Sequence, residues 1–340
     1  MKITDFHWEK YSFPFRTPFK NSGYIYRERQ GFYLFVEFDY GNTQIGECAP
    51  LPGVNRESIG DIALELEQIE AKLPDYFFSD KDEFSSFISS LTALPSLRFA
   101  FAQIIDSCTN YEEAGEIKLE QNSVISASGT DEMMRIAKTH IDKGFSTLKL
   151  KIGVNSPDDE IELIKKISSQ FPHVKLRLDS NSIFELNEAI GYLRRLSGFN
   201  IEYIEDPVAT VEEMYQLSEI TPIPLAADIF ISSLADIDEF LQNSKINHFV
   251  IKPMAFADIL LLSNYKFGRE ISITLSSSFE SFVGRIYNYF LASRFEGIHG
   301  LATSTQLAEN ISELPFDEDR ANIVFIPDEV INWLNKKVLF

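Results

Sequence analysis

The chain has little positive charge for its size. Its 340 residues include 31 Lys and Arg against 51 Asp and Glu, which gives a net charge of −20. Nucleic acids and anionic membranes bind to basic surfaces, so we expect neither as a partner. A small anionic carboxylate substrate is still compatible with this balance, provided that the fold supplies a local positive site.

Cysteine is scarce, and long apolar runs are absent. Cys48 and Cys108 form no metal or redox motif, and two isolated cysteines are typical of a reducing cytosol. No run of 18 apolar residues occurs, and the stretch MKITDFHWEK at the start lacks the apolar core of a signal peptide. These features predict a cytoplasmic location. The oligomeric state is left open, and a homo-oligomer is compatible with the sequence.

The short motifs of several enzyme classes are also missing. The five histidines show no HExxH spacing, and neither a P-loop nor a GxSxG elbow occurs. An SxxK match at residues 146–149 falls in a strand-like run, whereas this motif has to open a helix. The sequence therefore gives no sign of zinc-protease, nucleotide-phosphate or serine-nucleophile chemistry.

Short runs of alternating residues recur between helix-like segments from residue 123 onward. Such βα-type repeats predict an α/β protein built on a (β/α)-barrel with parallel strands. A doubly wound sheet is the alternative, but the Gly-rich turn after its first strand is missing. The strand-like runs are 124–128, 147–152, 175–180, 201–206, 224–228, 248–253, 271–278 and 299–303.

The first hundred residues have a different texture, in which strands mix with helices. A hairpin is predicted at Gly41-Asn42, between arms rich in apolar and aromatic residues. We predict an α+β domain over residues 1–95 and a barrel domain over residues 96–314. The tail, residues 315–340, alternates too little to extend the barrel and is expected to pack back on the first domain.

Carboxylates end three consecutive strand-like runs, at Asp179, Glu205 and Asp228. In a barrel, the C-terminal ends of the strands line the active site. A single strand-end Asp is commonly a helix N-cap, but three in succession, bracketed by lysines, fit that explanation poorly. Oxygen ligands without Cys or His select a hard cation. The pattern therefore predicts Mg²⁺, with Mn²⁺ as a substitute.

The bracketing lysines are Lys149 and Lys151 on one strand and Lys252 on another. Residues two apart share a strand face, and a wetted face of an antiparallel strand would explain the first pair. A metal ion beside an amine instead suits removal of a proton next to a carboxylate. A lysine acts as the base only if its pKa falls, and the charge of Lys149 is predicted to lower the pKa of Lys151.

Five motifs resemble the muconate-lactonizing branch of the enolase superfamily. The resemblance covers nearly the whole chain and implies a modified (β/α)7β TIM-type barrel with an α+β N-terminal capping domain. It implies that Asp179, Glu205 and Asp228 bind the metal, that Lys151 is the base and that Lys252 lies on the opposite face of the substrate. The pairing of a lysine with Mg²⁺ is a known property of the superfamily. The motifs are KLK at 149–151, LDSN at 178–181, EDP at 205–207, AAD at 226–228 and IKP at 251–253.

Within this branch, residues 46–58, 275–284 and 299–303 are most similar to the o-succinylbenzoate synthase family of menaquinone biosynthesis. The resemblance implies elimination of water from 2-succinyl-6-hydroxy-2,4-cyclohexadiene-1-carboxylate through an enediolate. Lys151 would remove the α-proton and then protonate the departing hydroxide. The other implied site residues are the substrate-binding Arg177, Asn181, Ser277 and Gly300, and Asp206, which would orient a ligand or a lysine.

Two alternatives stay open on the same scaffold. N-acylamino acid racemisation and dipeptide epimerisation also need one lysine on each face, so the lysines do not discriminate. Dipeptide epimerases of the family commonly carry Asp-x-Asp in the last strand, and GIHGLATSTQ at 297–306 has no carboxylate. A binding protein without activity would have no use for a lysine of lowered pKa. Glu280 is either a substrate contact or an acid at a helix start.

Overall fold

The structure is a computed structural model. Cys108, residues 126–128 of the first predicted barrel strand and the last two residues of the tail lie outside the part that it describes. No helix among the described residues is long and apolar enough to cross a membrane. The described residues are 1–21, 23–107, 115–125, 129–309 and 314–338.

An antiparallel sheet of three strands opens the chain: β1 (Ile3–Asn21), β2 (Tyr24–Phe38) and β3 (Thr43–Cys48). The predicted hairpin between β2 and β3 is confirmed. Gly41 adopts a φ of +84°, and its N–H donates to the carbonyl oxygen of Phe38 at 2.9 Å. Glycine takes this left-handed conformation without a steric penalty, which explains the position of the turn.

Three helices follow this sheet, namely α1 (Ile59–Glu70), α2 (Lys81–Leu91) and α3 (Pro95–Ser107). Ser58 and Asp61 form a reciprocal capping box that starts α1. Apolar residues of the sheet and of all three helices share one buried cluster. Gly46 lets β3 approach α3 closely, because a Cβ atom at this position would lie 2.2 Å from the carbonyl oxygen of Ala100.

The second part of the chain contains a parallel sheet of seven strands, which lie side by side in the order of the sequence. Apolar residues of these strands and of the surrounding helices form the larger buried cluster. The strands are β5 (Ser123–Ile125), β6 (Thr147–Lys151), β7 (Lys175–Asp179), β8 (Ile201–Glu205), β9 (Leu225–Ala227), β10 (His248–Ile251) and β11 (Ser272–Leu275). The helices between and after them are α4 (Thr130–Asp142), α5 (Pro157–Gln170), α6 (Leu186–Leu196), α7 (Val211–Ile220), α8 (Leu234–Asn243), α9 (Ile259–Leu262) and α10 (Phe282–Ala292).

A small sheet lies beside the edge of the parallel one. Its strands are β12 (Ile298–His299), β4 (Ile117–Gln121) and β13 (Asn322–Phe325), in that order. The eighth predicted strand, 299–303, corresponds to β12, which already ends at His299; a 3-10 turn at Ser304–Gln306 follows. Gly300 nevertheless pairs with Ser276 beyond the end of β11, so backbone hydrogen bonds join this segment to the parallel sheet.

The tail contacts the part of the chain that contains the parallel sheet. Strand β13 pairs with β4, and the last helix, α11 (Pro327–Val338), places Trp333 5.9 Å from the ring of Phe282 in α10. These contacts differ from the predicted packing on the first domain, because β4 offers β13 an open edge. The domain boundaries themselves stay a prediction. The fold is α/β, with a curled parallel sheet preceded by an antiparallel sheet.

Candidate active site

The C-terminal ends of β6, β7 and β8 place three ionisable residues in one row. In the register of the sheet, Lys151 lies beside Asp179, and Asp179 lies beside Glu205. Asp228 directly follows β9, the next strand in the sheet. Side chains alternate between the two faces of a strand, so Lys149 and Lys151 share one face of β6. Leu150, between them, points to the opposite face and is buried. The three predicted carboxylates and Lys151 therefore meet at one edge.

Two lysine ammonium groups lie among these carboxylates. Lys149 Nζ is 3.0 Å from Asp179 Oδ2 and 2.7 Å from Glu205 Oε2. Lys252 donates to Asp228 Oδ1. The Lys149 side chain is only 15% exposed, so this strand face is a buried ionic cluster. The alternative of a wetted face is wrong for Lys149.

One of the lysines lies between two of the carboxylates. Among the residues that the structure describes, no three Asp, Glu, His or Cys side chains form a ready-made metal-binding group. Lys149 instead lies between Asp179 and Glu205. The donors still fit Mg²⁺ in their chemistry, since they are oxygens from neighbouring strands. Glu205 Oε2 lies 2.7 Å from the Lys149 ammonium group, so this oxygen already faces a positive charge.

Two of the four acids at this edge are harder to ionise than usual. Burial raises the pKa of Glu205 well above its ordinary value, and the charges of Asp179 and Asp228 add to this against the opposing charge of Lys149. Burial and Asp228 together raise the pKa of Asp206 to about 7. A divalent cation would relieve this repulsion, because it favours the ionised form of its ligands.

The three lysines have different environments. Burial would lower the pKa of Lys149, but the charges of Asp179 and Glu205 outweigh it and raise this pKa well above its ordinary value. Burial lowers the pKa of Lys151; Asp179 opposes this, and the charge of Lys149 contributes to the lowering. Burial opposes the protonation of Lys252, but the charges of Asp228 and Glu205 and the hydrogen bond to Asp228 together raise its pKa. Lys151 is therefore the lysine best suited to act as a base.

Asp206 connects two strand ends through backbone contacts. Its carboxylate accepts the N–H of Asp228 at 3.0 Å and that of Ile229 at 2.8 Å. Its own backbone is left-handed, with a φ of +42°. This geometry suits the orienting role that was predicted for it, since Asp228 is a candidate metal ligand.

A further buried carboxylate, Glu160 of α5, was missed in the sequence. It accepts the N–H groups of Gly153, Val154 and Asn155 at 2.9–3.0 Å and the hydroxyl of Tyr192 at 2.8 Å. These amides begin two residues after Lys151, so Glu160 fixes the loop that follows the candidate base. Acidic residues are common in the first turn of a helix, so the sequence did not distinguish Glu160 from its neighbours. Only the fold shows which groups its carboxylate contacts.

Arg177 differs most from its predicted role. Its guanidinium group donates to Glu202 Oε2 at 2.6 Å, to Asn122 Oδ1 at 2.9 Å and to the carbonyl oxygen of Ile298 at 2.8 Å. It also lies 4.9 Å from the centre of the Tyr203 ring. Arg177 is thus engaged by protein groups in the interior of the sheet, away from the edge that carries the carboxylates. Its partners belong to β8, to β12 and to Asn122, which lies between β4 and β5.

The remaining predicted substrate contacts lie at the strand ends, but their groups have internal partners. Asn181 is exposed, and its N–H donates to Asp179 Oδ1 at 3.1 Å. The Ser277 hydroxyl donates to Glu280 Oε2 at 2.6 Å, and Gly300 accepts the N–H of Ser277 at 3.1 Å. Glu280 is fully buried and contacts its own turn. These contacts favour a structural role for Glu280, and the substrate-binding roles stay predictions.

Comparisons with known proteins bear on this arrangement. The family model described as Enolase C-terminal domain-like matches residues 132–260, which contain all five motifs named above. The predicted resemblance to the enolase superfamily is confirmed. An o-succinylbenzoate synthase of Thermosynechococcus vestitus is 26% identical over 310 residues, which cover 86% of this chain and 90% of that protein.

Two solved structures share the fold. A substrate-liganded L-Ala-D/L-Glu epimerase from Bacillus subtilis superimposes with a TM-score of 0.81 at 21% identity, over 95% of this chain and 96% of that one. An o-succinylbenzoate synthase from Thermosynechococcus elongatus BP-1, complexed with Mg in its active site, gives a TM-score of 0.71 at 23% identity, over 87% and 92% of the two chains. At these identities the likeness shows the fold alone.

Proposed function

We propose that the chain is a Mg²⁺-dependent o-succinylbenzoate synthase. The proposal is based on the row that Lys151, Asp179 and Glu205 form at adjacent strand ends. Beside this row, Lys252 donates a hydrogen bond to Asp228. The proposal includes closure of the sheet as a (β/α)7β barrel, with residues 1–95 as the capping domain. The similarity to the Thermosynechococcus vestitus synthase along 86% of the chain supports it.

In the proposed reaction, Lys151 removes the proton next to the ring carboxylate of 2-succinyl-6-hydroxy-2,4-cyclohexadiene-1-carboxylate. The C–H electron pair forms the new ring double bond, and the bond to the 6-hydroxyl breaks. The Lys151 ammonium then gives its proton to the departing hydroxide, which leaves as water. The lowered pKa of Lys151 suits both steps, because the same group has to accept and return a proton.

Lys252 acts as a fixed positive charge in this scheme. Asp228 and Glu205 together raise its pKa over the opposing effect of burial, so it stays protonated while negative charge develops on the substrate carboxylate. Asp179, Glu205 and Asp228 would hold Mg²⁺, which would supply Lewis-acid stabilisation of that charge. Ser277 and Gly300 are proposed to bind the succinyl carboxylate.

Epimerisation of a dipeptide, or racemisation of an N-acylamino acid, is the second candidate. Its support is the likeness of fold to the Bacillus subtilis epimerase, with a TM-score of 0.81. The same two lysines would serve it, one on each face of the substrate. The segment around β12 supplies no pair of carboxylates for a substrate amine, which favours the synthase.

An ultraviolet assay of aromatisation tests the proposal. Purified protein is mixed with the cyclohexadiene substrate in Mg²⁺ or in EDTA, and the formation of 2-succinylbenzoate is followed. We expect rapid turnover that requires the metal. Absence of turnover with Mg²⁺ would reject the synthase, and N-succinylamino acids and dipeptides in deuterium oxide would then test for inversion and exchange of the α-proton.

A further inference from the structure

Two loops from distant parts of the chain meet at the edge of the sheet that carries the candidate site. The first, residues 49–55, reaches the segment just after Lys252, where Asn55 Nδ2 donates to the carbonyl oxygen of Met254 at 2.9 Å. The second, residues 276–281, follows the C-terminal end of β11. We refer to these two loops together as the loop pair.

Arg29 of β2 joins the two loops through backbone carbonyl groups. Its Nε donates to Phe279 O at 3.0 Å, its Nη1 to Pro50 O at 2.9 Å and its Nη2 to Ala49 O. Arg29 is 1% exposed. A buried guanidinium group loses its hydration, so its donors must be satisfied by protein acceptors, and here these acceptors belong to both loops.

Glu47 of β3 holds the end of the second loop from the neighbouring strand. The fully buried carboxylate accepts the N–H of Ser281 and that of Gly284, both at 2.8 Å. It also accepts the hydroxyls of Ser281, at 2.6 Å, and of Tyr11. The carboxylate therefore occupies the positive N-terminal end of α10 and ties it to the antiparallel sheet.

The conformation of the second loop requires such support. Phe279 adopts a φ of +59°, which is unfavourable for a residue other than glycine, and its carbonyl group is the one that Arg29 binds. The ring of Phe279 packs edge-on against Phe15 of β1 at 5.4 Å. Contacts from the antiparallel sheet thus hold a strained turn next to Ser277.

We propose that Arg29 and Glu47 are positioning residues, which fix the loop pair as the wall that binds the part of the substrate remote from the reacting carbon. This inference rests on the proposed function, because it assigns the succinyl end of the substrate to that wall. Neither side chain touches the candidate base or metal ligands in its hydrogen bonds. Their loss is therefore expected to weaken substrate binding more than it slows the chemical step.

Hydrogen–deuterium exchange of the Arg29→Met variant tests the positioning role without any substrate. We expect faster amide exchange in both loops, since Arg29 donates to carbonyl groups of both. Arg269→Met is the matched control, because Arg269 also donates to two carbonyl oxygens, those of Ser244 and Ile246, before β10. It should leave exchange in the loop pair unchanged. Unchanged exchange in the Arg29 variant, or faster exchange in only one loop, would overturn the proposal.

Steady-state kinetics give the second readout. For Arg29→Met and Glu47→Gln, we expect KM for the cyclohexadiene substrate to rise about tenfold with kcat within about twofold, as for the loss of one charged hydrogen-bond partner. Arg29→Lys keeps the positive charge and is the variant to measure if Arg29→Met folds poorly. Its KM should rise less than that of Arg29→Met. A fall in kcat at constant KM would contradict the proposal. Inactivity of the wild-type protein would instead reject the proposed function, and the exchange experiment would still decide on the positioning role.

Discussion

The interior of the parallel sheet carries buried charges at two levels, which differ in how they are balanced. Toward the N-terminal ends, Arg177 is matched by Glu202 and by neutral acceptors. At the C-terminal ends, four acids, including Asp206, face three lysines, and burial raises the pKa of Glu205 and Asp206. A balanced pair is complete without a ligand, whereas a surplus of acids is a place where a cation can bind. The same strands thus serve stability at one level and, we propose, chemistry at the other.

The largest expected effect follows from removing the candidate base at the upper level. Lys151→Ala should reduce the rate of aromatisation by about 10²–10⁴-fold, the usual contribution of a positioned acid–base group. Lys175→Ala removes a half-exposed lysine at the opposite end of β7 and should have little effect. Comparable activity in the two variants would show that the two levels do not differ in function.

The lower level should respond in stability instead. Arg177→Met leaves Glu202 without its close guanidinium partner at a position where the arginine side chain is 3% exposed. Breaking such a pair is expected to lower the free energy of unfolding by roughly 3 kcal/mol. Urea denaturation measures this, and activity per folded molecule should stay near that of the wild type. A folded but inactive variant would restore Arg177 to the substrate-binding role that the resemblance implied.

His299, near Arg177, gives the lower level a dependence on pH. Nδ1 of its ring accepts the N–H of Leu275, and Nε2 contacts Phe295 O, so the neutral ring fits both partners. Burial lowers the pKa of His299 to about 4. The unfolded chain binds a proton more readily, so stability falls as the pH drops from about 6.5 to 4, by up to about 3 kcal/mol. His299→Gln should show a smaller fall in the same denaturation series, and an identical fall would exclude this source.

The smallest effect concerns the influence of Lys149 on its neighbour. The positive charge of Lys149 contributes to the lowered pKa of Lys151. Lys149→Met should therefore raise the pKa of Lys151, and the pH at which the rate rises should move upward, because the base has to be neutral. A pH–rate profile for aromatisation measures the change. An unshifted profile in an active variant would reject this influence.

Much of the upper level could be predicted because it depends on local pattern. Alternation in short strands fixes which residues share a face, and consecutive parallel strands end at the same edge. Asp179, Glu205 and Asp228 follow from these two rules. The resemblance added their roles, which the structure alone does not give.

The rest depends on partners that sequence pattern does not pair. Glu205 contacts Lys149 across 56 positions of sequence, so the sequence indicated a pair of lysines but not the ion pair that keeps one of them charged. Arg177 has partners on other strands, and a register shift lies between Leu176 and Arg177. Arg29 and Glu47 act on a loop some 230–250 positions away. Such contacts arise only once the chain has folded.

Metal binding tests the central claim most directly. Metal-free wild-type protein, Glu205→Gln and Glu202→Gln are titrated with Mg²⁺ in a calorimeter; the two variants carry the same change at the two ends of β8. We expect one site in the wild type, an affinity lower by more than about tenfold in Glu205→Gln, and little change in Glu202→Gln. Equal binding by all three proteins, or no binding by the wild type, would contradict the assignment of the acidic edge as a metal centre.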